Sequence, residues 1–200
     1  MIKNIVFDIG QVLLTFEPEK YLQKYFDNHD KIESLAQVTF HSEEWLKLDR
    51  GEWEIQQAGE FFSKKYPDFS EVIKQAIFSW TDMLKPITGT INLLKEVKAT
   101  GYNTYALSNF PDKGFNQVES IYNFWDNFDG MVISAKEGYI KPEPELYKIL
   151  LQRYNLQPEE TLFIDDSQEN IAGAKRVGMK GIVFNNPEKL KEQLSNYNIF

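Results

Sequence analysis

The hydrophobic and polar positions of the chain follow two kinds of pattern. Between residues 16 and 85, apolar residues recur at helical spacing without strand-like alternation, which predicts a bundle of about four helices. After Pro86, short apolar runs alternate with helical segments, which predicts βαβ units and a parallel sheet. One more short apolar run, at residues 2–8, precedes the helical block and predicts a first strand.

These patterns predict an α/β fold, a doubly wound parallel sheet with a helical cap inserted after the first strand. We expect the core domain to comprise residues 1–15 and 86–200, and the cap to comprise residues 16–85. A length of 200 residues suits one α/β domain with a smaller insert. The later strands are expected at residues 102–107, 131–133, 161–164 and 181–184.

Several of the predicted strands end on polar residues. Three do so in chain order, at Asp8, at Ser108-Asn109 and at Asp165-Asp166. In an open α/β sheet, ligands gather beyond the carboxyl ends of the strands. Each residue also has a purely structural explanation, because aspartate, serine and asparagine cap turns and helices. Their joint occurrence at successive strand ends favours a functional site.

The residue types at these positions suit phosphate chemistry. Converging carboxylates would bind a hard divalent cation, and magnesium is the usual one at phosphate sites. Lys141, in a loop before a predicted helix, and the Ser108 hydroxyl would bind the oxygens of an anion held against that cation. Taken alone, Lys141 is typical of a solvated lysine. Together, the carboxylates, the hydroxyl and the lysine are what phosphoryl transfer to an aspartate requires.

The composition narrows the classes of partner. The net charge is -8 and no basic cluster is present, which disfavours nucleic acid and anionic membranes as partners. No cysteine occurs, so neither a disulfide framework nor a thiolate metal site is possible. No signal-like start and no apolar stretch of membrane length is visible, so we expect a cytoplasmic protein. A dinucleotide site is disfavoured because no G-x-G-x-x-G follows the first strand.

Four short motifs at these positions resemble, in order, those of the haloacid dehalogenase-like (HAD) hydrolase superfamily. The family motifs are D-x-D-x-[TV], a hydrophobic strand ending in Ser or Thr, a Lys, and an acidic pair. This chain has FDIGQV from Phe7, ALSN from Ala106, IKPEP from Ile140 and FIDDS from Phe163. The resemblance covers nearly the whole chain. It is closest to the helical-capped branch of bacterial sugar-phosphate phosphatases and the phosphatase domain of epoxide hydrolases.

The resemblance implies a metal-binding role for the first and fourth motifs. Asp8 would be the nucleophile and a Mg²⁺ ligand. The backbone carbonyl of Gly10 would stand where the family has a ligand two residues after the nucleophile. Asp166 would be the main ligand of the fourth motif, with Asp165 close by.

The resemblance also implies a substrate site. Ser108 and the adjacent Asn109 would hold phosphate oxygens, and Lys141 would neutralise the nucleophile and the phosphate. The implied activity is a magnesium-dependent phosphatase that acts on a small phosphorylated metabolite, such as a sugar phosphate, through an aspartyl-phosphate. In similar enzymes, a cap turn like residues 49–53 closes over the substrate; the alternative here is a solvated helix connection with Trp53 packed in the cap.

One position departs from the family pattern. The second aspartate of the first motif, a general acid and base, is Gly10 in this chain. Such catalysis is typically worth ~10²–10⁴-fold. Without it, we expect the rate to depend steeply on the basicity of the leaving group. A rate indifferent to the leaving group would mean that a cap residue or water replaces the lost acid and base.

Gly10 keeps two alternative functions open. The first is a metal-free dehalogenase of the same fold, whose relatives also lack the second aspartate. The pair Asp165-Asp166 argues against it, because these carboxylates would repel the nucleophile without a cation. The second is a catalytically weak binding or regulatory protein that kept the fold. The intact Asp8, Ser108 and Lys141, with Asp166, argue against that reading. The sequence does not predict the oligomeric state.

Overall fold

A parallel sheet of five strands forms the centre of the computed structural model, which describes residues 1–200. The strand order is β3-β2-β1-β4-β5, and all four pairings are parallel. The prediction of an α/β fold with a parallel sheet is therefore confirmed. The strands are β1 (Asn4–Phe7), β2 (Asn103–Ser108), β3 (Gly130–Ile133), β4 (Thr161–Asp165) and β5 (Lys180–Val183).

Helices cover both faces of the sheet, as a doubly wound fold requires. On β1, Ile5 and Phe7 belong to one apolar cluster and Val6 to another, because successive side chains of a strand point to opposite faces. None of the helices has both the length and the apolar character needed to cross a membrane. The helices that follow the predicted cap segment are α6 (Thr88–Ala99), α7 (Asp112–Ile121), α8 (Ser134–Glu137), α9 (Pro144–Arg153), α10 (Gln168–Arg176) and α11 (Pro187–Ser195).

Five helices, rather than about four, lie in the segment predicted as the cap, residues 16–85. The helix that the sequence pattern missed is the short third one, whose N-terminus is capped where Trp45 N donates to Ser42 Oγ at 3.2 Å. Its seven residues give too few turns for a clear apolar period. The five are α1 (Pro18–Leu22), α2 (His29–Val38), α3 (Glu43–Asp49), α4 (Ile55–Lys65) and α5 (Ser70–Phe78).

The chain leaves and re-enters the core through two adjacent segments. Thr15 N donates to Lys85 O, and Ile87 N donates to Leu13 O, both at 2.8 Å. Leu14 and Pro86 form an antiparallel bridge between them. These bonds lie at the predicted boundary between core and cap, which stays a prediction. Their effect is to hold the helices between them over one end of the sheet.

Candidate active site

Three predicted site residues meet at the carboxyl edge of the sheet. β1 lies between β2 and β4, so their parallel ends stand side by side. Asp8 comes directly after β1, and its backbone N–H donates to Ile164 O at 2.8 Å. Ser108 and Asp165 are the last residues of the flanking strands. The topology thus places a hydroxyl on one side of Asp8 and a carboxylate on the other.

Lys141 lies at the centre of this group. Its Nζ is 2.7 Å from Asp8 Oδ1 and 2.6 Å from Asp165 Oδ2. The lysine is only 3% exposed, so both ion pairs are shielded from water. Ile9 N also donates to Asp8 Oδ1 at 2.7 Å. The hydrogen bond and the ion pair of the Asp8 side chain both involve Oδ1, and Oδ2 has no partner.

The contacts of Asp165 explain how Lys141 is oriented. Ser167 N donates to Asp165 Oδ1 at 2.8 Å, and Asn170 Nδ2 donates to both carboxylate oxygens at 3.0 and 3.2 Å. With Lys141 on Oδ2, both oxygens are engaged and the carboxylate is fully buried. Sequence reasoning gave Asn170 no role at the site, because an asparagine in the first turn of a helix is common. Asp165 therefore serves chiefly to position the lysine.

Asn109 fixes the backbone of the same lysine. Its Nδ2 donates to Lys141 O at 3.0 Å, and Lys141 N donates to its Oδ1 at 2.7 Å. This reciprocal pair ties the end of β2 to the loop that follows α8. One amide hydrogen of Asn109 Nδ2 remains beyond the one used here, so the side chain can still donate to a phosphate oxygen. The role of Asn109 in phosphate binding stays a prediction.

The buried charges shift the ionisation of the group. Burial raises the pKa of Asp8 to about 7; Lys141 opposes this shift, and Asp165 and Asp166 add to it. Burial alone would lower the pKa of Lys141, but Asp165 and Asp8 together raise it above its ordinary value. The lysine is therefore charged at neutral pH. The nucleophile candidate needs a further positive charge to be fully ionised there.

The carboxylates fit the requirements of a magnesium ion. Asp8, Asp165 and Asp166 each offer an oxygen, and these oxygens lie within 4.8 Å of one another. Three carboxylates against one lysine leave two negative charges when all are ionised, which matches a divalent cation. All the donors are oxygens, the ligand type that magnesium prefers. Asp166 is exposed, whereas Asp165 is occupied by its three partners.

Ser108 has an unused hydroxyl. The residue is 1% exposed, and its Oγ has no hydrogen-bond partner in the protein. A buried hydroxyl without a partner is unfavourable, by about 1–3 kcal/mol. A phosphate oxygen that accepted its proton would remove this cost. The arrangement agrees with the prediction that Ser108 binds phosphate, and does not by itself test it.

A cavity of about 410 Å³ lies between the sheet edge and the cap. Asp8, Gly10, Asn109 and Asp166 line it, whereas the buried Ser108, Lys141 and Asp165 do not. Six aromatic and apolar residues form another part of the lining, the aromatic wall. That wall comprises Phe16, Phe40, Trp45, Trp80, Leu84 and Phe110.

The cap turn at residues 49–53 divides between two surroundings. Asp49 lines the cavity and is buried. Trp53 lies outside it and packs on Phe61, with ring centroids 5.1 Å apart. Whether this turn closes over a substrate stays a prediction, and the packing of Trp53 on Phe61 agrees with the alternative at that end of the turn. Sequence reasoning assigned no chemistry to Asp49, because an aspartate at the end of a helix carries no distinguishing signal.

The family follows from the whole-chain comparison. A profile described as haloacid dehalogenase-like hydrolase matches residues 2–178. The chain belongs to the haloacid dehalogenase-like hydrolase family. The family resemblance of the four motifs is thereby confirmed, and the protein is a HAD-like hydrolase with its motif residues gathered at one sheet edge.

Individual relatives of this HAD-like hydrolase include phosphatases. It is 32% identical over 184 residues to a sesquiterpene phosphatase of Aspergillus oryzae, with 90% of this chain and 88% of that protein covered. It is 27% identical over 212 residues to a D-ribitol-5-phosphate phosphatase of Bacteroides thetaiotaomicron, with 98% of each covered. A HAD family enzyme of Bacteroides thetaiotaomicron, solved as a magnesium complex, shares the fold, with a TM-score of 0.75, 23% identity, and 96% of this chain and 98% of that chain covered.

Proposed function

We propose that the protein is a magnesium-dependent phosphatase that hydrolyses a small phosphate monoester through an aspartyl-phosphate on Asp8. The observation that carries this proposal is the buried Lys141, which pairs with Asp8 Oδ1 and leaves Oδ2 free beside the cavity. A carboxylate held in this way can attack an electrophile without first breaking a contact. Positive charge next to it offsets the charge of an incoming phosphate.

Each residue of the site has a part in the proposed reaction. Asp8 Oδ2 forms the bond to phosphorus, Lys141 offsets the charge of Asp8 and of the phosphate, and the Ser108 hydroxyl donates to a phosphate oxygen. Asp8, Asp166 and the Gly10 carbonyl would hold the magnesium ion, with Asp165 close by. When bound, the ion supplies the positive charge that lets nucleophile and phosphate approach.

The relatives support a phosphate ester as substrate and differ in the organic group. One is named for a sesquiterpene substrate and another for a sugar alcohol phosphate. The aromatic wall of the cavity favours an esterified group that is at least partly apolar. A sugar phosphate, the substrate type that the sequence resemblance implies, could stack on such a wall through its ring face.

The alternative functions have weaker support. A metal-free dehalogenase would keep Asp165 and Asp166 close to the nucleophile with only Lys141 to offset them. A binding protein without activity would have no use for a buried, free carboxylate oxygen beside a cavity.

A hydrolysis panel tests the proposed function. Aryl, alkyl and sugar phosphates, with 2-chloropropionate as a dehalogenase substrate, should be incubated with the wild type and with Asp8→Asn, with and without magnesium. We expect phosphate release that requires both magnesium and Asp8. Chloride release without added metal would establish the dehalogenase instead, and no turnover of any ester would refute a phosphatase.

The metal site has a separate test that does not use activity. Magnesium that binds only the folded protein should raise the melting temperature, by the equivalent of about 2.7 kcal/mol at a hundred times its Kd. Asp166→Ala should remove most of that rise. Glu43→Ala, which removes another carboxylate from the cavity lining, should keep it. A wild type whose melting temperature ignores magnesium would show that the metal assignment is wrong.

A further inference from the structure

Asp49 is a carboxyl group in the cavity that has no partner. It is the last residue of α3, it is 8% exposed, and it lines the cavity together with Asp8. Its side chain accepts no hydrogen bond and forms no ion pair; only its backbone oxygen is bonded, by the Ser134 hydroxyl. A buried and unpartnered carboxyl is costly unless it serves a purpose.

The surrounding contacts hold Asp49 in this position. The Ser134 hydroxyl fixes the Asp49 backbone from the core side. The next residue, Arg50, turns away from the cavity and makes a bidentate pair with Glu143, at 2.7 and 2.9 Å. Gly51, at φ +76°, lies so close to Ala135 O that a Cβ would stand 2.3 Å from it. The end of α3 is thus docked on the core, and of residues 48–51 only Asp49 lines the cavity.

No steric contact explains the absence of a side chain at position 10. A Cβ built on Gly10 would meet no heavy atom within 4 Å, and the left-handed residue of this turn is Gln11, at φ 54°. Gly10 lines the cavity, so the absence of a side chain there leaves this part of the cavity open.

We propose that Asp49 is the general acid and base that this HAD-like hydrolase lacks at position 10. The inference rests on the proposed phosphatase function. Asp8 Oδ2 forms a bond to phosphorus while the phosphorus–oxygen bond to the leaving group breaks, and the leaving oxygen takes the electron pair and the Asp49 proton. The Asp49 carboxylate then takes a proton from water as that water attacks phosphorus. Asp8 departs as a carboxylate, inorganic phosphate is released, and Asp49 is again protonated.

The charges around Asp49 agree with this role. Burial raises its pKa to about 7, and only Lys141 opposes the shift. An acid with a pKa near the working pH can both give and take a proton. Its own element contributes Glu43, at the start of α3, and the connection before that helix contributes His41. From the sheet edge, Asp8 and Asp166 line the same cavity, and Lys141 is the charged neighbour whose field reaches Asp49.

The leaving group provides the decisive test. Wild type, Asp49→Asn and Asp49→Glu should be compared on p-nitrophenyl phosphate, whose leaving group needs no proton, and on glycerol phosphate, whose leaving group does. We expect Asp49→Asn to lose roughly 10²–10⁴-fold in kcat on glycerol phosphate and far less in the first step with the aryl ester. Because water attack is then slow, rapid-quench kinetics with the aryl ester should show a burst of nitrophenol. Asp49→Glu should restore part of the loss, and Glu33→Gln, on an exposed carboxylate of α2 outside the cavity, should behave as wild type on both esters.

A second-site variant separates proton transfer from simple positioning. Gly10→Asp has room for its Cβ and puts an acid where the family has one. In the Asp49→Asn background it should recover much of the glycerol phosphate turnover and shrink the burst. A double variant as slow as Asp49→Asn, although Gly10→Asp alone is active, would overturn the proposal.

The remaining outcomes are also informative. Equal losses on both esters without a burst would overturn the acid and base role and leave Asp49 a merely positioning residue. If the wild type hydrolyses both esters and Asp49→Asn matches it, this inference fails while the phosphatase stands. If the wild type hydrolyses neither with magnesium, the proposed function fails and the role of Asp49 with it.

Discussion

The two sides of the cavity treat their charged groups in opposite ways. On the sheet side, Asp8, Lys141 and Asp165 pair with one another in a buried network. On the cap side, Asp49 is equally buried and pairs with nothing. Paired groups hold a fixed geometry, which suits a nucleophile and its counter-ion. An unpaired carboxyl keeps its proton near neutral pH, which suits proton transfer.

The largest expected effect comes from removing the nucleophile on the sheet side. Asp8→Asn should lower magnesium-dependent release of p-nitrophenol by roughly 10⁴–10⁶-fold, because an amide cannot attack phosphorus. Circular dichroism and a melting curve should show a folded protein, since Lys141 keeps its pair with Asp165. Substantial activity in the purified variant would contradict the mechanism and remove the contrast between the two sides.

A second variant tests how strongly the sheet side depends on its one cation. Lys141→Met leaves Asp8 and Asp165 as buried carboxylates without a counter-ion, so we expect a loss of about 3–5 kcal/mol in the free energy of unfolding. Lys136→Met, on a half-exposed lysine of α8, should cost less than about 1 kcal/mol. Urea denaturation without metal measures both. Equal stabilities for the two variants would show that the buried network is not the stabilising element described here.

The pH dependence of stability tests the cap side. The folded protein keeps the Asp49 proton up to a pKa of about 7, whereas the unfolded chain releases it near 3.8. The unfolded state therefore binds fewer protons between these values, and this stabilising contribution, complete below 3.8, is lost as the pH rises to 7. In Asp49→Asn, the fall in unfolding free energy from pH 4 to 7 should be smaller by at most about 4 kcal/mol.

Urea midpoints of wild type, Asp49→Asn and Glu43→Gln across this pH range measure the difference. The Glu43 variant controls for the loss of a cavity carboxylate at the other end of α3. Parallel curves for wild type and Asp49→Asn would mean that Asp49 is ionised in the folded protein, and that the two sides of the cavity differ less than the contacts suggest.

The smallest expected effect concerns the contact that joins the two sides. Glu143→Gln removes the ion pair with Arg50, which is about one-third exposed. We expect a loss of about 0.5–1 kcal/mol in stability. The magnesium-dependent rise in melting temperature should persist, because Glu143 is outside the carboxylate cluster. Calorimetry with and without magnesium checks both expectations, and a lost magnesium effect would show that cap docking controls the metal site.

The sheet side was largely predictable from the sequence, and the cap side was not. Asp8, Ser108 and Asp165 stand at the ends of apolar runs, and a parallel sheet brings the ends of neighbouring strands together whatever the loops do. Lys141 could be assigned only through its motif, because its position depends on the Asn109 clamp. Sequence patterns of short range hold no information about such a contact between distant residues.

Asp49 shows the limit more clearly. Its role depends on the docking of α3 against α8, which rests on Ser134, Arg50 and the close approach of Gly51 to Ala135. None of these contacts is expressed in hydrophobic periodicity. The same holds for the aromatic wall, since the helical spacing of apolar residues does not show that Trp80 lines the cavity.

Glu143 contacts both sides of the cavity. It accepts hydrogen bonds from Arg50 of the cap and from Ile140 N, the residue before Lys141. Any swing of the cap that separates α3 from the core must release Arg50 and so loosen the segment that carries the lysine. Coupling of this kind is reciprocal. A ligand that immobilises the lysine segment stabilises the docked α3, and the docking of α3 strengthens the binding of that ligand by the same free energy.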